Sequence, residues 1–263
     1  MPSWIGVYRF RLGYFIILVL FVVACIGVWK GYVGVRMEMQ KRAAATLSWL
    51  LTGKIIVIDP GHGGEDSGVR GKDVWEKDVN LAIAKILAEK FRQGGAKVIM
   101  TRDDDTRLGT RQREDIEKRA AVANKNEADL MISIHANSFG DASQHGAQTF
   151  SAPQDAESKK LSHAIMAEII KVLGNTDRKP KQCELYLFKH TKMPTVLIEV
   201  GFLTNPKERR LLQDSAYQDK LCFAIYSGVC KYFAEQAAPT TRWVDEEIIE
   251  TFQKGPATPI EAP

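Results

Sequence analysis

The sequence predicts an α/β fold in which a largely parallel sheet is covered by helices. Short apolar runs bounded by Gly, Pro or acidic residues recur along the chain, and amphipathic helical segments alternate with them. The first such stretch reads strand, loop, helix, strand, the unit from which parallel sheets are built.

Residues 13–29 form an uncharged, mostly apolar run preceded by Arg9 and Arg11 and followed by Lys30. Its length lies near the lower limit for a membrane span and exceeds the usual signal-peptide core. Residues 1–29 are therefore expected to be a signal peptide or membrane anchor, the anchor being favoured because no clean cleavage site follows. Both imply export. Val22-Val23-Ala24-Cys25 loosely resembles a lipobox, which would make Cys25 a lipidated amino terminus.

Residues 30–53 read as a spacer, and 54–235 as the catalytic domain. Within it, the strand Lys54–Asp59 is broken by Pro60-Gly61. Residues 77–93 place Val79, Ile83, Ile86, Leu87 and Phe91 on one helical face, and Gly94-Gly95 stop that helix. A strand over Ala96–Thr101, a charged helix from about Thr110 to Lys125 and strands at Leu130–Ile134 and Ala147–Ser151 follow. The helix Asp155–Leu173 turns Leu161, Ile165, Ile169 and Val172 inward. Short strands are expected at Leu185–Phe188 and Thr195–Glu199, then one or two helices over Pro206–Phe233. Residues 236–263 are proline-bearing and acidic, and read as a flexible tail with a short helix around Trp243–Phe252.

The net charge of +4 is concentrated in residues 1–53, which carry six Lys/Arg against Glu38 alone. The nearly neutral remainder lacks the clustered basic footprint of a nucleic-acid binder, and that class is excluded. Cys222 and Cys230 lie eight apart in an expected helix, about 12 Å along its axis at ~1.5 Å per residue, too far for a disulfide. With Cys183 they read as buried apolar fillers.

Three segments carry the chemistry: IIVIDPGHGG (Ile55 to Gly64), LMISIHAN (Leu130 to Asn137) and TVLIEVGF (Thr195 to Phe202). Ligands of parallel α/β sheets collect beyond the carboxyl ends of the strands, so His62, His135 and Glu199 should arrive at one edge. That convergence suggests a metal-dependent hydrolase. Catalytic zinc takes about three protein ligands and keeps one position open. Glu76, at the start of a helix after the glycine-rich loop, is the best third candidate, with Asp59, Asp66 and Asp78 as rivals. Asp59 is expected to orient His62, because metal-bound histidines usually have a carboxylate or carbonyl partner. Glu199 read alone would be a strand-end acid paired with an arginine such as Arg119. Arg102 and Arg119 are expected in structural ion pairs, and His145 and His163 on the surface. His190 is a possible substrate contact, and Asn137 a substrate contact or turn cap. Gly61, Gly63 and Gly64 lack the following GKS/T of a phosphate loop, so nucleotide binding is not expected.

VIDPGHGGEDSG, WEKDVNLA, TRDDDTRL, RAAVANKNEADLMISIHAN and MPTVLIEVGFLTNPKERRLL, in that order over about residues 54–235, resemble the zinc-dependent N-acetylmuramoyl-L-alanine amidase family. The resemblance implies Zn2+ held by His62, Glu76 and His135, with Glu199 as general acid/base. It implies a three-layer fold with a sheet of about six strands between helices, and hydrolysis of the amide joining the lactyl group of muramic acid to L-alanine of peptidoglycan stem peptides. The match looks closest to the germination-specific amidases of endospore formers. That implies action on spore cortex at the forespore envelope, on the route to muramic-δ-lactam, with an activating lipoprotein as a possible partner. A vegetative autolysin, a zinc peptidoglycan peptidase and a catalytically inactive wall-binding protein are the competing readings.

Overall fold

The structure, a computed structural model, describes residues 14–31 and 49–237. Tyr14–Gly31 is one helix (α1) of 18 residues with mean hydropathy 2.3, long and apolar enough to cross a membrane. Cys25 lies on it, exposed. The expected helix around residues 243–252 lies outside the described residues.

In the second unit the sheet is built from β1 (Ile55–Pro60), β2 (Lys97–Met100), β3 (Leu130–Asn137), β4 (Gln148–Ser151), β5 (Lys181–Gln182) and β6 (Thr195–Phe202), in the spatial order β2-β1-β3-β6-β4-β5. β1, β2, β3 and β6 run parallel, whereas β4 pairs antiparallel with β6. Strands covered on both faces read as continuous apolar runs rather than alternating ones. That is why IIVI of β1 and LMISI of β3 are buried almost throughout.

The helices are α2 (Glu76–Gln93), α3 (Gln112–Lys125), α4 (Ala156–Leu173), α5 (Tyr186–His190), α6 (Pro206–Gln213) and α7 (Ser215–Ala237). α2 and α4 pack on the sheet and α7 packs against both of them, while α3 packs with α5 and β1. The period of two in a strand divides the core accordingly. Val57 and Met131 join Ala120, Ala123, Leu187 and Met193 in a cluster with the α3 and α5 layer. Val79, Ile83, Leu87 and Phe91 of α2, Leu161, Ile165 and Ile169 of α4, and Leu221, Ile225 and Val229 of α7 are buried as well. Cys222 and Cys230 are fully buried on α7, and the Cys222 thiol donates to the Ile83 carbonyl at 3.4 Å. Asp155 caps α4 by accepting from the Glu157 and Ser158 amides, each at 3.0 Å, and Gly174 ends the helix at φ 65.

Two expectations are corrected. Leu185–Phe188 is not a strand, because its last three residues open α5. β6 is already paired on both sides, so a strand leading into it has no ladder to join, and Leu187 instead enters the apolar cluster beside α3. Leu50 and Leu51, within the stretch read as spacer, are buried, and the Leu51 carbonyl accepts from the Lys54 amide at 3.0 Å.

Candidate active site

β1 and β3 are neighbours, as are β3 and β6, so three strand ends open onto one edge. The register sets Pro60 beside Ile134 and His135 beside Glu199. Past Pro60 the chain turns out of the sheet, and the Gly61 amide still donates to the Ile134 carbonyl at 2.9 Å. A side chain at Gly61 would meet the His135 ring at 2.2 Å, and one at Gly68, where φ is +62, would meet Glu76 Oε2 at 2.5 Å. Glycine at these two places lets loop backbone close over the imidazole and the carboxylate. His62 itself has φ 63, a left-handed conformation rare for a residue with a side chain.

Three side chains meet here. Glu76 Oε1 lies 3.2 Å from His62 Nε2 and 3.0 Å from His135 Nδ1. The two rings stand edge to face with centroids 5.0 Å apart. Glu76 is nearly buried and its carboxylate is held on every side. Oε1 accepts from the Ala136 amide at 3.1 Å and from Asn80 Nδ2 at 3.3 Å, and Oε2 accepts from the Val69 amide at 2.8 Å. Burial opposes ionisation of Glu76, but His135 and His62 outweigh it and hold the carboxyl well below the usual range. Burial likewise opposes the charged form of His62, yet Glu76 and Asp66 raise its imidazolium to about 9. Among the described residues this is the one cluster of three or more His, Cys, Asp or Glu whose donor atoms could share a metal ion, all lying within 4.8 Å of one another.

Glu199 faces this cluster from β6. Its Oε2 is enclosed and without a hydrogen-bond partner among the described residues. Burial raises its carboxyl to about 7, with His135 and His62 opposing and Glu76 reinforcing the rise. An unpartnered enclosed carboxylate beside donor groups is costly to keep and is a mark of function.

None of the three rivals for the third position joins the shared cluster. Asp78 is exposed. Asp59 does not orient His62: its carboxylate accepts from Thr101 at 2.6 Å, Ser133 at 2.7 Å and Arg119 at 2.8 Å. Asp66 takes that place, with Oδ2 3.0 Å from His62 Nδ1. The reason is local. Asp59 is still inside the strand, where it faces Ser133, whereas Asp66 sits where the loop doubles back through the Gly63 and Asp66 amide–carbonyl pair. Arg119 ion-pairs with Asp59 and Asp115 and leaves Glu199 alone. Among the described residues Arg102 is in no ion pair; its guanidinium donates to the carbonyls of Pro60, Gly61, Lys77 and Asp104 at 2.8–3.0 Å. His145 and His163 are exposed, His190 stacks on Tyr186 with ring centroids 4.4 Å apart, and Asn137 accepts from the Ser138 amide at 2.8 Å. Asn80 was missed by sequence reasoning. It donates to both the Gly61 carbonyl and Glu76, and its signal was a polar residue one turn after Glu76 on the face that carries Val79, Ile83 and Leu87.

The family model for N-acetylmuramoyl-L-alanine amidase matches residues 56–231. The germination-specific N-acetylmuramoyl-L-alanine amidase of Bacillus subtilis is 43% identical over 198 residues, covering 72% of this chain and 84% of that protein. The amidase AmiA of Escherichia coli is 30% identical, covering 68% of this chain and 76% of its own. Among solved structures, the CwlD amidase from Clostridioides difficile in complex with the GerS lipoprotein superposes with a TM-score of 0.67 at 38% identity, over 70% of this chain and all of that one.

Proposed function

The chain belongs to the N-acetylmuramoyl-L-alanine amidase family, and on that premise we propose that it is a zinc-dependent amidase acting on spore-cortex peptidoglycan. The bond cut is the amide between the lactyl group of muramic acid and L-alanine of the stem peptide. One observation carries the reading: His62 Nε2, Glu76 Oε1 and His135 Nδ1 meet within a few ångströms beside the enclosed carboxylate of Glu199.

The donor set fits zinc. Two imidazole nitrogens and a carboxylate oxygen, within 4.8 Å of one another, are the donor types that would hold it. Two imidazoles and one carboxylate also leave a fourth position for substrate or water. Zinc, when bound, supplies Lewis-acid polarisation of the carbonyl and acidifies water. The rest falls to the chain. The Ala136 and Val69 amides with Asn80 fix the Glu76 carboxylate, and the Asp66 carboxylate stands 3.0 Å from His62 Nδ1. Glu199, raised to about 7, is available as a carboxylate to take the proton of the attacking water. It returns that proton to the L-alanine nitrogen, without which an amide does not break. The catalytic domain takes the family's match, and α1 serves as anchor or signal segment for work outside the cytoplasm. The germination-specific relative and the lipoprotein-bound structure support a cortex substrate and a lipoprotein partner for this chain too.

Mass spectrometry of material released from purified cortex and vegetative peptidoglycan by the zinc-loaded full chain tests the proposal, with a partner lipoprotein added in parallel. Intact stem peptides with a free L-alanine amino terminus, released from cortex, are expected. Equal release from vegetative wall would favour an autolysin, and shorter peptides a peptidase. No release with or without partner would favour a wall-binding protein.

A further inference from the structure

We propose that Arg119 and Arg102 are positioning residues for the metal ligand His62: together they clamp the carbonyls of Pro60, Gly61 and His62 and so fix where the imidazole arrives. The inference rests on the zinc reading above.

Both arginines are buried, and they converge on the same three residues from different sides. From α3, Arg119 donates through Nη1 to the Pro60 carbonyl at 2.8 Å and through Nη2 to the His62 carbonyl at 2.7 Å. From the segment after β2, Arg102 donates through Nε to the Pro60 carbonyl at 2.9 Å and through Nη2 to the Gly61 carbonyl at 3.0 Å. His62 needs such restraint, because its φ of 63 is a conformation that L side chains leave when free to do so. Only one other non-glycine residue among those described has a positive φ, Glu127.

The contacts separate this role from ordinary charge pairing. The charge of Arg119 is balanced by Asp59 and Asp115, at 2.8 and 2.6 Å, and Asp115 is itself held by the Leu108 and Gly109 amides. The two remaining Arg119 contacts go to backbone that no ion pair requires. Arg102 goes further, since its four hydrogen bonds among the described residues all go to carbonyls, the Lys77 one belonging to the residue after Glu76. Arg102 thus ties the His62 loop to the first turn of α2, which carries a second candidate ligand. The planar fork of a guanidinium reaches two neighbouring carbonyls at fixed spacing, and a lysine ammonium does not. Lysine at either position keeps the charge and loses the clamp.

The experiment measures zinc affinity of the full chain in detergent by competition with a chromophoric chelator, for the parent, Arg119→Lys, Arg102→Lys and Leu87→Ala. Leu87 is buried on α2, and its truncation lowers stability without touching the loop. Partners that orient metal ligands typically contribute 10–100-fold in affinity, so each lysine variant is expected to bind zinc at least tenfold more weakly while Leu87→Ala stays within twofold of the parent. A changed d–d absorption band in the cobalt-substituted lysine variants is the accompanying signature. A folded Arg119→Lys or Arg102→Lys protein within twofold of the parent overturns the inference, as does an equal loss in Leu87→Ala. Should Arg119→Lys not fold, with two carboxylates left poorly paired, Arg102→Lys carries the test alone, since it strands no acid. A parent that takes up no zinc would overturn the zinc reading itself; a parent that binds zinc and lysine variants that bind equally well would overturn only the clamp.

Discussion

His62 should titrate far from the ordinary histidine range in the metal-free protein, and the perturbation that reveals this is Glu76→Gln. Burial opposes the imidazolium, but Glu76 at 3.2 Å and Asp66 at 3.0 Å raise it from 6.5 to about 9. That gap corresponds to roughly 3 kcal/mol of preference for the charged ring. Zinc binds only the neutral ring, so at pH 7 it must displace a proton that leaves about one molecule in a hundred ready, a ~100-fold penalty in apparent affinity that shrinks tenfold per pH unit up to about 9. The folded value is raised, so the stabilisation from this contact in metal-free protein is complete below pH 6.5 and is lost as pH rises through about 9. NMR of the five histidine rings reads it directly. One ring should titrate near 9, lose that titration on addition of one equivalent of zinc, and move down in Glu76→Gln, where burial is opposed by Asp66 alone. If no ring with a raised titration is found in the metal-free parent, the electrostatic account of His62 is wrong.

Glu199→Gln should lower kcat by about 10²–10⁴ while zinc stoichiometry by metal analysis stays at one per chain; loss of zinc would make its carboxylate a ligand instead. Gly61→Ala should abolish zinc uptake, because the added Cβ would lie 2.2 Å from the His135 ring, and wild-type affinity in the chelator assay would contradict the close packing of that loop. Asp155→Ala removes the cap of α4 and should cost about 1 kcal/mol in urea unfolding without changing KM.

Much of this architecture was legible because buried parallel strands announce themselves. β1, β3 and β6 are apolar runs ending in His62, His135 and Glu199, and the strand-end rule brings such residues to one edge. Glu76 was legible by its place at a helix start, though only the fold shows its carboxylate oxygen shared between two rings. Other features depended on packing. Leu185–Phe188 has strand-like composition, yet β6 had no free side, so the segment coiled into α5. Asp59 and Asp66 were both plausible partners for His62, and the choice turned on a loop conformation set by glycines and two arginines rather than on spacing. The burial of Leu51 likewise depends on α2 and α7 being near, since its side chain and that of Tyr226 both border Gly94.

The burial of Cys222 and Cys230 has a consequence for an enzyme whose substrate lies outside the reducing cytoplasm. Burial pushes both thiols up to about 12, so at pH 7 only about one in 10⁵ is the reactive thiolate. At these two positions the native protein therefore keeps free sulfhydryls without exposing a nucleophile to disulfide exchange. These two thiols become vulnerable only when the buried face of α7 opens. Alkylation of these two cysteines is accordingly a clock for opening, running at the rate at which the native chain gives up its core.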